Sequence, residues 1–184
     1  MVAPFTSPTI RAASEADAEA IAGLHTASWR VAYRGILPAA YLDGPIGEER
    51  RGHWRAAMAA RRPEDVVLIA EGDARPLGFI AVWRAGDPGF DAYIDNLHIR
   101  PDLRGNGLGR RLLAAAVARL HDAGCGCIYL WLFEKNAGAR RFYETLGGRA
   151  EDRSVIDFAG ARISQIRFVW RDLAALAAAC ERER

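Results

Sequence analysis

The sequence predicts a single α/β domain in which helices cover a mixed sheet. Its 184 residues suit one domain of ordinary size and can bury a self-sufficient core. The composition, 51% hydrophobic and 26% charged, is that of a globular protein. Apolar periodicity gives the order strand, two helices, three strands, helix, strand, helix, strand, and this alternation predicts the α/β class.

The first third of the chain is predicted to contain one strand and two helices. Residues 1–8 are expected to form a flexible N-terminal arm, followed by the short strand TIRAAS. Ser14 with Asp17 three residues later is an approximate capping box, and it predicts the start of the first helix. The second helix is predicted within GEERRGHWRAAMAARR and ends before Pro63.

The rest of the chain alternates between strands and helices. A hairpin is predicted from DVVLIAEGD and RPLGFIAVWR, and a third strand from DAYIDNLHIRP, which Pro101 ends. The clearest helix is GLGRRLLAAAVARLHDAG, with Gly124 as its C-cap. The segment CIYLWLF has no polar alternation, which predicts a strand buried on both faces. A short helix ending at Gly147 and the last strand, ARISQIRFVWRDL, complete a domain at 9–173, with 174–184 as a C-terminal tail.

Composition argues against several classes of function. The net charge of +2 gives no support to nucleic-acid binding. No apolar run approaches the roughly 18 residues that a membrane span needs, and the N-terminus does not resemble a signal peptide. Cys125, Cys127 and Cys180 are an odd number without zinc-ligand spacing, so we expect reduced thiols, no metal and a cytoplasmic location.

A glycine-rich segment, RPDLRGNGLGRR, lies between the third strand and the clearest helix. It fails the Walker A pattern because arginine follows Gly109, and it fails the dinucleotide pattern because Arg110 replaces the last glycine. Glycine backbone before a helix N-terminus still allows a phosphate to approach the free amides, and Arg104, Arg110 and Arg111 add positive charge. We therefore expect this loop to bind a pyrophosphate, although a tight turn alone would also require glycine at one position.

Two motifs resemble the GNAT superfamily of acyl-CoA-dependent N-acyltransferases. The segment from Arg104 to Gly109 fits its (Arg/Gln)-x-x-Gly-x-(Gly/Ala) motif at the start of a helix. The second motif follows the next strand and comprises Asn136, Ala139, Phe142, Tyr143 and Gly147. The resemblance covers about residues 9–171 and implies an α+β-like GNAT fold, with a mostly antiparallel, splayed central sheet flanked by helices.

The resemblance also implies where acetyl-CoA binds. Strand 92–99 should splay from strand 127–133, so that the pantetheine arm pairs with the backbone of Leu97 and Ile99 while Asn136 bonds to it. An amide near Leu97 should polarise the thioester carbonyl. The implied cofactor-binding residues are Leu97, His98, Ile99, Arg104, Gly105, Asn106, Gly107, Leu108, Gly109, Arg110, Asn136, Ala139 and Tyr143.

Amine attack on a thioester needs a proton acceptor for the amine and a proton donor for the thiolate. Tyr143 is the expected general acid, although it could instead be a core tyrosine. Asp95 is the first candidate for the base, because aspartate is disfavoured inside a strand unless it has a polar task. A nearby turn or arginine could equally satisfy it. Glu71 is the second candidate and His98 the third.

The acceptor pocket is expected to use Trp29, Tyr33, Glu71 and Trp83, although such aromatic side chains often belong to a core. The predicted reaction is acetyl transfer from acetyl-CoA to a primary amine of a small molecule, by direct attack in a ternary complex. Two alternatives stay open, namely acetylation of a protein or peptide N-terminus and a non-catalytic CoA-binding regulatory domain. A homodimer is possible by resemblance.

Overall fold

The computed structural model describes residues 8–73, 75–84 and 86–182. Within them, strands form one sheet and are β1 (Thr9–Ala12), β2 (Val66–Gly72), β3 (Arg75–Trp83), β4 (Ala92–Ile99), β5 (Ile128–Phe133), β6 (Arg149–Phe158) and β7 (Ala161–Trp170). Their order across the sheet is β1-β2-β3-β4-β5-β7-β6. Every neighbouring pair is antiparallel except β4 and β5, which are parallel. The predicted mixed, mostly antiparallel sheet is confirmed.

Helices cover both faces of this sheet. In the described part of the chain they are α1 (Ala18–Ala32), α2 (Ala39–Asp43), α3 (Ile46–Ala59), α4 (Leu108–Asp122), α5 (Ala137–Thr145) and α6 (Leu173–Glu181). On one face, α1 and α3 bury Ile21 and Trp54 against Phe79 of β3. On the other face, α4 and α6 bury Leu112 and Leu176 in a core to which β5 also contributes. The helices α1, α3 and α4 pack through the apolar stripes that the sequence periodicity predicts.

The parallel pair β4–β5 separates soon after it begins. Its register contains only the pairs of Ala92 with Ile128 and Tyr93 with Tyr129. A bulge in β4 follows, because Ile94 pairs with Val82 while Asn96 pairs with the preceding Ala81. Bulges bend a strand and increase its twist, so β4 turns away from β5 and the predicted splay results.

Two elements near the C-terminus differ from the prediction. β6 was not predicted, because the run RAEDRSVIDF is mostly exposed and highly charged, a pattern of low strand propensity. It forms as an edge strand on β7. The segment predicted as a tail instead contains α6, which buries Leu173, Leu176, Ala179 and Cys180. The predicted domain boundary at 173 is therefore wrong, while residues 1–7 of the predicted arm lie outside the described residues.

Three properties of the described ranges concern membranes, metals and thiols. None of their helices is long and apolar enough to cross a membrane. No three His, Cys, Asp or Glu side chains among them lie together as a metal site would require. The cysteines Cys125, Cys127 and Cys180 are all free thiols.

Candidate active site

A cavity of about 1050 Å³ opens where β4 and β5 separate. The glycine loop before α4, the second half of α1, α5 and the end of α6 complete its walls. Such a concave site at a break in a sheet is a common place for a cofactor. The predicted site residues that line it are Trp29, Tyr33, Asp95, Leu97, His98, Ile99, Arg104, Gly105, Gly107, Leu108, Gly109, Arg110, Asn136, Ala139 and Tyr143.

Glu71, Trp83 and Asn106 do not line the cavity. Glu71 ends β2, which β3 and β4 separate from the cavity, and its carboxylate binds Arg11 with contacts of 2.6 and 3.0 Å. The prediction that Glu71 binds substrate or acts as base is therefore wrong, since periodicity does not reveal strand order. Trp83 is not a wall of the cavity either, but its indole Nε1 donates to Asp95 Oδ2 at 2.9 Å. Asn106 is exposed in the glycine loop.

The glycine loop has the backbone that its sequence predicts. Gly105 and Gly107 have φ of +84° and +77°, which L side chains rarely adopt, and no atom lies within 4 Å of a Cβ added at either one. Gly109 lies within α4 and needs no such conformation. The loop therefore places a side-chain-free surface before the α4 N-terminus, where free amides and the helix dipole favour an anion. The residues present fit the pyrophosphate of acetyl-CoA.

Two arginines of this segment form hydrogen bonds that connect the glycine loop to α1 and to the end of α6. Arg104 Nη2 donates to Ser28 Oγ at 3.0 Å and Ser28 O at 3.3 Å. Arg110 Nη1 donates to Ala179 O at 2.9 Å and Arg182 O at 2.8 Å, which ties the loop to the end of α6. These guanidiniums add positive potential beside the loop, whose backbone amides remain the predicted phosphate ligands.

The edge of β4 facing the gap presents free amides. The amide of Arg100 donates to Leu77 O of β3 at 2.8 Å. Because successive peptide groups in a strand point to opposite edges, the amides of Ile99 and Leu97 point away from β3 and into the gap. An extended amide-containing chain can pair with this edge as an added strand. The backbone contacts predicted for pantetheine are thus geometrically available.

α5 places Asn136 and Tyr143 at the opposite wall. Asn136 caps the helix through Oδ1, which accepts from Ala139 N at 3.2 Å, and its Nδ2 has no partner among the described residues. Tyr143 is 8% exposed and packs edge-on against Trp170, yet its hydroxyl has no partner within those same ranges. Burial raises the pKa of Tyr143 well above its usual value, so the phenol stays protonated and can donate.

Asp95 lies in the bulge of β4, so its side chain departs from the alternation of the strand. Its Oδ2 accepts from Trp83 Nε1 at 2.9 Å and from Asn96 Nδ2 at 2.7 Å. Its Oδ1 has no partner in the part of the chain that is described, and the residue lines the cavity. Trp83 and Asn96 therefore orient one oxygen of Asp95 and leave the other available.

His98 belongs to a buried polar network that the sequence did not reveal. Trp29 Nε1 donates to its Nε2 at 3.3 Å, which assigns the proton of the neutral ring to Nδ1. Nδ1 then donates to Ser28 Oγ at 2.9 Å, the same oxygen that Arg104 binds. Burial lowers the pKa of His98 to about 3, and both ring nitrogens are occupied. His98 is therefore a poor candidate for the base.

The buried histidines predict acid-sensitive stability. His25 accepts from Trp54 Nε1 at 2.9 Å and stacks on His98 with ring centroids 4.7 Å apart. Burial lowers the pKa of both rings, so below about pH 6.5 the unfolded chain binds protons that the native state excludes. The free energy of unfolding should fall by about 1.4 kcal/mol per pH unit for each histidine as the pH drops from 6 to 4.

Urea unfolding at several pH values measures this dependence. Replacement of the exposed His121 by glutamine serves as the control and should leave the slope unchanged. A free energy of unfolding that stays constant between pH 6 and pH 4 would show that the two rings are not held neutral.

Residues 26–147 match the acetyltransferase (GNAT) family. The chain belongs to this family. It is an N-acetyltransferase that uses acetyl-CoA, as its motifs predict. The chain is 26% identical over 170 residues to an uncharacterized N-acetyltransferase, YuaI, of Bacillus subtilis, which covers 91% of this chain and 95% of that protein.

Two other proteins are similar to this GNAT acetyltransferase. One is the L-amino acid N-acyltransferase MnaT of Escherichia coli, 28% identical over 76% of this chain and 78% of its own. The other is the crystal structure of PaiA N-acetyltransferase from Thermoplasma acidophilum in complex with coenzyme A. It has a TM-score of 0.71 and 22% identity, over 88% of this chain and 98% of that one. The likeness to this structure supports the fold alone, and the roles of individual site residues stay predictions.

Proposed function

We propose that this acetyltransferase acetylates the primary amine of a small-molecule acceptor, by direct attack of the amine in a ternary complex. The observation behind the proposal is that one cavity joins the glycine loop, the free edge of β4, Asp95 and Tyr143. Coenzyme and acceptor can therefore meet without an intermediate carrier. Cys180 is the thiol that lines the cavity within the described chain, and burial raises its pKa to about 11, which disfavours a thiolate nucleophile.

Acetyl-CoA supplies the acetyl group as an activated thioester. The Leu97 amide, which points into the gap, donates to the carbonyl oxygen as negative charge develops there. An alkylamine with a pKa near 10.4 is almost wholly protonated at neutral pH, so Asp95 first accepts a proton from the bound ammonium group, directly or through water, and the neutral amine then attacks the thioester carbonyl carbon. The C–N bond forms, the C–S bond breaks, and the Tyr143 hydroxyl donates its proton to the departing sulfur. The nitrogen, which carries a positive charge after the attack, loses its second proton as the amide forms, and this proton restores the Tyr143 hydroxyl through water.

A thiol-release assay with acetyl-CoA tests the function. The acceptor panel contains alkylamines, polyamines, aminoglycosides, amino acids and short peptides. Turnover on a small amine supports the proposal, whereas turnover restricted to peptides would favour N-terminal acetylation. Coenzyme binding by calorimetry without thiol release on any amine would contradict catalysis and favour a regulatory domain.

Replacement of Asp95 by asparagine should lower kcat/KM by about tenfold or more at pH 7 and less at pH 9.5, because the free amine then forms without a base. The measurement is the pH–rate profile of both enzymes with one alkylamine. Arg62→Gln, which alters an exposed arginine that does not line the cavity, is the control. If the acid limb stays in place in Asp95→Asn, Asp95 is not the group that removes the proton.

A further inference from the structure

The acceptor side of the cavity has an aromatic wall. Leu130 and Leu132 of β5 face the core under α4, so the alternate residues Trp131 and Phe133 face the side of the sheet that carries α1. From α1, Tyr33 meets Phe133 edge-on with ring centroids 4.9 Å apart and meets Trp29 at 5.1 Å. These four aromatic residues all line the cavity.

Two charged residues that line the cavity, Asp95 and Arg104, act electrostatically on the Tyr33 hydroxyl of the aromatic wall. Arg104 begins the coenzyme loop and donates to Ser28, and its charge is expected to face the pyrophosphate when acetyl-CoA is bound. Asp95 is then the charge left facing the acceptor. Tyr33 contributes a neutral hydroxyl, since burial raises its pKa to about 12.

Two guanidiniums approach the wall from outside the cavity. Arg50 lies over the Trp29 ring, 5.0 Å from its centroid, and is paired with Glu49. Arg167 lies 5.7 Å from the Trp131 centroid and is paired with Asp87 and Asp152. Neither lines the cavity, so neither is placed to bind an anionic group of the acceptor.

We propose that the acceptor is an amine on an aromatic or bulky apolar body, without a carboxylate beside the amine. The inference rests on the proposed function and specifies its substrate class. An apolar body gains contact area on Trp29, Tyr33 and Phe133, and the ammonium gains attraction from Asp95 and from the faces of the aromatic rings. With Arg104 facing the pyrophosphate, a carboxylate would lie near Asp95 without a cation of its own and would lose its hydration, which is unfavourable. The acceptor class thus differs from the L-amino acids in the name of the E. coli relative.

The test compares three acceptors that share one body. Phenethylamine, L-phenylalanine amide and L-phenylalanine differ in the substituent beside the amine, and the amide matches the size of the carboxylate without its charge. Rates are measured by thiol release, and each kcat/KM is calculated from the concentration of the neutral amine. We expect kcat/KM for phenethylamine and the amide to exceed that of phenylalanine by about 30-fold or more. Ethanolamine, which lacks the apolar body, should also be poor.

A substitution in the aromatic wall tests whether this wall binds the apolar body of the acceptor. Phe133→Ala should raise the KM for phenethylamine about tenfold while the Kd for acetyl-CoA stays unchanged, and Phe90→Ala, outside the cavity, should alter neither. Phenylalanine acetylated as well as its amide would overturn the proposal and would point to Arg104 as a carboxylate ligand. An unchanged KM in Phe133→Ala would also overturn it. If no amine is acetylated although acetyl-CoA binds, the proposed function fails instead.

Discussion

Tyr143→Phe is expected to lower kcat by about 10²–10⁴-fold while the affinity for acetyl-CoA stays unchanged. The substitution keeps the ring that packs against Trp170 and removes only the hydroxyl, which has no partner in the described chain. Binding should therefore persist, whereas the departing thiolate loses its proton donor. Steady-state kinetics with a good acceptor and calorimetry with acetyl-CoA measure the two quantities.

Tyr129→Phe is the matched control. Tyr129 is also a buried tyrosine on this part of the sheet, but it does not line the cavity, and its hydroxyl accepts from Asp87 N at 3.0 Å. Its loss should cost about 1 kcal/mol of stability without affecting kcat. If Tyr143→Phe retains full kcat, Tyr143 is a core residue and another group or water protonates the thiolate.

The parts of the site that could be predicted are those encoded locally. The glycine spacing reports a backbone requirement, and Gly105 and Gly107 adopt the positive φ that only glycine tolerates easily. Asn136 likewise begins the helix that its motif predicts. In such segments, a few consecutive residues determine both the conformation and the groups that it exposes.

The errors arose where distant segments meet. Glu71 was a reasonable candidate until the strand order placed β3 and β4 between it and the cavity. The bond between Ser28 and His98 joins residues 70 positions apart, and no local pattern marks either as part of a network. α6 was missed because an alanine-rich segment near charged residues has no polar face to mark its periodicity, although the helix buries Leu176 and Cys180.

The bulge in β4 brings together two residues that a regular strand would place on opposite faces. Regular alternation in β4 places His98 on the opposite face from Asp95, and the bulge at Asp95 interrupts that alternation. Both residues consequently line one cavity. A bulge depends on the register with β3, which a single strand sequence does not contain.

Gly107→Glu is expected to weaken acetyl-CoA binding by about 100-fold or more. The change forces an L side chain into φ of +77° and places a carboxylate at the α4 N-terminus, where the coenzyme's pyrophosphate should lie. Two like charges would then compete for the same amides. Calorimetric titration with CoA measures the loss, and the thermal midpoint reports any cost to the fold.

Gly124 supplies the control for backbone strain, because it lies just beyond the other end of α4 with the same φ of +77° and no atom within 4 Å of an added Cβ. Gly107→Ala and Gly124→Ala should lower stability similarly, by about 1 kcal/mol. Only the substitutions at Gly107 should weaken CoA binding, and glutamate should weaken it far more than alanine. Equal CoA affinity in Gly107→Glu and Gly124→Glu would show that the pyrophosphate does not bind at this loop, and the assignment of the coenzyme end of the cavity would be wrong.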